Sequence, residues 1–151
     1  MKYRLFILIT SLFATYTYTY AHDSLVIKEP YARATPPNAP TSAVFGTLIN
    51  HSQTDEYIVA ASSPSAGKIE LHDMIQEGAV MKMRQVDQFT VPAQGTLELK
   101  PGSFHIMLFD LQHPFDEGEE ITLQLMTQTG QSLLFIAPVK KIIASMPHHH
   151  H

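Results

Sequence analysis

Four soft-metal donors stand at fixed distances in a chain that has no cysteine. Ten residues separate His72 from Met83, twenty-one separate Met83 from His105, and Met107 completes a His-x-Met pair. Two imidazoles and two thioethers suit copper, above all Cu(I). Zinc, calcium and magnesium make little use of thioether sulfur. A donor set without thiolate points to carrying copper rather than to using it.

Such donors must be held by structural elements, and the elements read as β throughout. Short apolar or alternating runs recur over 25–33, 43–50, 57–61, 68–72, 80–84, 96–100, 104–111, 121–127 and 133–139. Val, Ile, Phe, Tyr and Thr dominate them, as a pleated, half-buried surface requires. Turn chemistry separates the runs, as in Thr35-Pro36-Pro37-Asn38, Glu77-Gly78, Pro101-Gly102, Glu117-Gly118 and Thr129-Gly130. Glycine there permits positive φ and proline fixes φ near −65°. No stretch carries a sustained helical stripe. The expectation is an all-β Greek-key sandwich or small barrel.

Period two sorts the donors onto faces. Phe104, Ile106 and Leu108 share one face of their strand, while His105, Met107 and Phe109 share the other. One face can enter the core and the other can set His105 and Met107 side by side. Taken alone, the His-x-Met pair reads as a core filler beside an edge histidine. The other donors tilt the balance toward metal. Met81 and Met83 point to one face with Lys82 opposite, and His72 closes the alternating run Ile69-Glu70-Leu71-His72 where the chain is expected to turn at Asp73. Met74 and Met81 read either as core residues or as spare donors.

At these residues the chain resembles a known family, the periplasmic Cu(I) chaperones of the PCuAC type. Their pattern of His, ten residues, Met, twenty-one residues and His-x-Met falls on His72, Met83, His105 and Met107 without a gap. Glu70-Leu71-His72, Met81-Lys82-Met83-Arg84, the segment 99–108, Ala32-Arg33 and Gly46-Thr47-Leu48-Ile49-Asn50 agree as well, so the likeness spans residues 25–140. The resemblance implies a cupredoxin-like β-sandwich with an exposed Cu(I) site near one end. It also implies delivery to the binuclear copper centre of cytochrome c oxidase subunit II, alongside Sco-type thioredoxin-fold proteins. Blue-copper electron transfer needs a cysteine thiolate, which this chain lacks.

The 151 residues suffice for one domain. Lys2 and Arg4, an apolar run over 5–14 and the small residues Thr19 and Ala21 compose a secretory signal peptide cut after Ala21. The run is too short for a convincing membrane span, so no stable membrane insertion is expected after cleavage. The domain expectation is therefore 1–21 signal peptide, 22–145 copper-binding sandwich and 146–151 a Met/His-rich tail, with the periplasm as destination. Export permits disulfides, but no cysteine is present to form one or to take a lipid anchor. Losing Lys2 and Arg4 leaves the remainder more acidic than the formal −4 of the whole chain, which argues against nucleic acid.

Several histidines lie outside the pattern. His148–His151 read either as a natural Cu(II)-binding extension or as a partial affinity tag. His51 and His113 sit in turn-like contexts and read as surface residues. His22 would become the N-terminal residue, and a free α-amine with an imidazole can chelate copper. A copper-dependent oxygenase using His22 is accordingly one alternative, and a sandwich interaction domain with incidental His and Met is another. No Ser-His-Asp order, paired carboxylates or Gly-rich phosphate loop speaks for other catalysis.

Overall fold

The computed structural model describes residues 24–142. The leader expected over 1–21, His22 and the tail at 146–151 lie outside the described residues. Within them the chain forms ten strands and no helix. They are β1 (Leu25–Arg33), β2 (Thr41–Asn50), β3 (Glu56–Ser62), β4 (Ala66–Glu77), β5 (Val80–Gln85), β6 (Phe89–Val91), β7 (Thr96–Leu99), β8 (His105–Leu111), β9 (Glu120–Thr127) and β10 (Ser132–Lys140).

Hydrogen bonding links them in the order β5-β4-β8-β2-β1-β10-β9-β3-β6, with β7 also on β2. Neighbours run antiparallel except β1 and β10, which meet in parallel at Ala32–Val139 and Arg33–Lys140. That short seam joins two halves whose inner faces share one core. Val44, Leu48, Leu71, Ile106 and Leu108 come from one half, and Ile58, Phe89, Leu123, Leu125 and Ala137 from the other. Each large side chain fully buried there contributes about 1.5–3 kcal/mol. The expected all-β sandwich is what the chain adopts, with its core between the halves.

Two local readings need correction. β6 spans three residues, too few for alternation to stand out, yet Phe89 and Val91 are buried on either side of exposed Thr90. The larger correction concerns His72, which does not close a strand. β4 runs on to Glu77 because Asp73, read as a turn former, is paired across the ladder with Arg84. The guanidinium donates to both carboxylate oxygens, at 3.1 and 2.7 Å, so the acidic side chain supports the ladder instead of ending it.

Candidate metal centre

The alternation that buries Ile106 and Leu108 turns His105 and Met107 to the opposite face, away from the core. The same holds on β4, where Leu71 joins the core and Glu70, His72 and Met74 take the other face. Register then sets the neighbours. His72 is paired with His105, Glu70 with Met107, Met74 with Met83, and Met107 also with Ala43 of β2. The donors thus gather on the outer face of one half, close to the edge strand β5, with His105 at the very start of β8.

A cavity of about 250 Å³ opens on this face. Its walls include Met74, Met83, His105 and Met107, with Phe45, Arg33 and the Pro101-Gly102 turn. Met83 is the exposed member, at 54%, whereas His105 is 5% exposed. Met83 Sδ lies 3.2 Å from His105 Nε2. With metal–nitrogen and metal–sulfur bonds of about 2.0 and 2.3 Å, two ligands of one ion can stand this far apart. His72 does not line the cavity, but its ring is 5.6 Å from that of His105, centroid to centroid.

Local structure settles what each imidazole offers. The β7–β8 turn is closed by Ser103 N–H donating to Lys100 O at 3.1 Å, and Gly102 holds φ at +80°. This leaves the Ser103 carbonyl 2.8 Å from His105 Nδ1. A carbonyl only accepts, so Nδ1 carries the proton and Nε2 keeps its lone pair toward Met83. Burial pushes the His105 pKa below the ordinary imidazole value, which keeps the ring neutral and ready to ligate. His72 Nε2 lies 2.7 Å from Glu70 Oε2, and Lys68 Nζ lies 2.5 Å from the other oxygen of that carboxylate. Lys68 and then His72 hold the Glu70 carboxyl below its usual pKa. His72 Nδ1 is buried with no hydrogen-bond partner among the described residues.

The residues fit a soft cation. Among the described residues no group of three or more His, Cys, Asp or Glu side chains could hold a metal ion. An ion here would have to draw on thioether sulfur, which favours Cu(I) over harder metals. The buried His72 Nδ1, without a partner among the described residues, is the kind of nitrogen such an ion would satisfy. Met74, read from the sequence as a core residue or a spare donor, shares the cavity with Met83. Glu70, which spacing did not single out, engages His72; it lies on the His72 face of β4 by simple alternation, which is the signal that could have found it.

A family model described as "Putative lipoprotein LpqE-like" matches residues 25–139. The "Putative lipoprotein Lxx21020" of Leifsonia xyli subsp. xyli is 32% identical over 100 residues, 66% of this chain and 60% of that protein. The solution structure of CuI-DR1885 from Deinococcus radiodurans is 31% identical, covering 83% of this chain and 85% of that one, with a TM-score of 0.65. The copper-bound PCuAC domain from PmoF2 is 17% identical and covers 82% of this chain and 97% of its own, with a TM-score of 0.68. At that identity it speaks for the fold.

Proposed function

The chain belongs to the LpqE-like, PCuAC-type family, and from that premise we propose that it is an exported carrier that binds one Cu(I) and hands it to an acceptor protein. The observation that carries the reading is the approach of Met83 Sδ to His105 Nε2, at 3.2 Å, over a cavity that Met107 also lines. The ligands in this reading are His72, Met83, His105 and Met107. The relative solved as CuI-DR1885 supports copper as the cargo.

Carriage follows from the chemistry of the donors. Thioether and neutral imidazole satisfy a closed-shell soft ion without committing a thiolate, which would oxidise outside the cytoplasm. A partner with thiolate donors can therefore draw the ion away. Met83, exposed on an edge strand, is the ligand such a partner reaches first. The acceptor we favour is the binuclear copper site of cytochrome c oxidase, directly or through a Sco-type protein. Residues 22–145 would be the exported unit, freed of 1–21 in the periplasm, with 146–151 as an accessory Cu(II) site.

Competition with a chromogenic Cu(I) chelator, joined to X-ray absorption at the copper edge, tests the carrier. One equivalent bound more tightly than micromolar, with both nitrogen and sulfur neighbours, is expected. Binding no tighter than micromolar would leave an interaction domain with incidental His and Met. Loaded protein mixed with the apo copper domain of oxidase subunit II should lose its ion; retention would rule out that acceptor.

A further inference from the structure

His72 and His105 are cross-strand partners, yet their hydrogen bonds occupy opposite ring nitrogens. Resting on the carrier reading, we propose that Glu70 is a positioning residue that makes His72 present Nδ1 to the Cu(I) that His105 meets through Nε2. A carboxylate only accepts, so the 2.7 Å contact from Glu70 Oε2 assigns the proton of a neutral His72 ring to Nε2. Nδ1 is then the lone-pair nitrogen, and it is the buried side-chain polar atom left without a partner among the described residues. A buried acceptor without a donor is unfavourable, and a cation ends that state.

Glu70 is itself held in place. Its side chain is 13% exposed, Lys68 Nζ sits 2.5 Å from Oε1, and its backbone pairs with Met107. Lys68, Glu70 and His72 follow one another on one face of β4, so a chain of polar contacts runs from the exposed Lys68 ammonium to the ligand ring. A carboxylate behind a metal-bound imidazole fixes its orientation and raises its basicity. Were Nε2 to ligate, this contact would first have to break.

Long-range ¹⁵N–¹H correlation spectra of the imidazole nitrogens distinguish the two arrangements. In the apo protein His72 should be the Nε2–H tautomer and His105 the Nδ1–H tautomer. On loading with Cu(I), the coordination shifts should fall on His72 Nδ1 and His105 Nε2. Glu70→Ala should give His72 a mixed tautomer and weaken Cu(I) by about 10–100-fold. Glu70→Gln leaves one acceptor oxygen for two donors. Lys68, which can only donate, should take it and turn the amide N–H toward His72 Nε2, so this variant should shift His72 toward the Nδ1–H tautomer and weaken Cu(I) as well. A coordination shift on His72 Nε2, or a mixed His72 tautomer in the wild-type apo protein, overturns the proposal even if copper binds. No Cu(I) binding with the apo tautomers as stated overturns the carrier reading and leaves the role of Glu70 in orienting His72 intact.

Discussion

Met83 and His105 touch although their strands never pair. β4 lies between β5 and β8, and the Met83 side chain spans it to set Sδ 3.2 Å from His105 Nε2. The reach is possible because methionine is long and unbranched. An exposed, adaptable side chain thereby meets a buried one held by the Ser103 carbonyl.

Removing either sulfur should cost copper and little else. Met83→Leu lies on the exposed side and should change apo stability by no more than about 0.5 kcal/mol. Met107→Leu, half-buried, should stay below about 1.5 kcal/mol. Each should lose at least about tenfold in Cu(I) affinity, the lower end of what outer-shell changes cost. Chelator competition and thermal melts of the apo forms measure the two quantities separately. An unfolded Met107→Leu would mark it as a core residue.

The residue next door should behave in the opposite way. Ile106 is fully buried in the core, so Ile106→Ala should destabilise the protein by about 2–5 kcal/mol. Cu(I) affinity of the folded fraction should stay near wild type. Denaturant titration beside Cu(I) binding at low temperature checks this, and a selective loss of copper would contradict the division of faces.

Acid should weaken both the apo fold and the loaded site. Burial keeps His105 below its usual pKa, so the unfolded chain takes up this proton first. Stability rises with pH where the unfolded state binds more protons. The contribution is therefore flat above about pH 6.5 and becomes destabilising as pH falls from there through the folded value. Cu(I) affinity should follow, level above neutrality and falling below about pH 6. Melting temperatures and chelator competition across this range report it; affinity still climbing at about pH 9 would count against imidazole ligation.

Gly102 should matter for geometry alone. At φ +80° its Cβ would meet nothing within 4 Å, so Gly102→Ala carries a backbone cost of about 1–2 kcal/mol and no clash. Because the turn also places the Ser103 carbonyl against His105, the variant should melt earlier and bind Cu(I) more weakly. Gly78, in the β4–β5 turn at φ +62° with equal space, is the control: Gly78→Ala should lower stability similarly and leave His105 Nδ1–H on Ser103.

Much of this was legible in order of residues. Alternation placed Ile106 and Leu108 inward and His105 and Met107 outward, because side chains on a strand must alternate. Nine of the ten strands coincide with the short apolar or alternating runs of the sequence. The three-residue β6 did not, since its burial comes from neighbours distant in sequence. Nor did the continuation of β4 past Asp73, since an aspartate reads as a turn former until its arginine partner is seen across the ladder.

The chain by itself supplied the donor types: imidazoles and thioethers at fixed spacing and no thiolate, a set that suits a soft ion. It also determined which face of each strand the donors share. Only the folded arrangement decided that Met83 crosses β4 to reach His105, that Met74 joins the cavity, and that Glu70 and Ser103 engage opposite nitrogens of the two rings. Spacing along one strand is local and periodic, whereas register between strands is set by a core assembled from both halves of the sandwich.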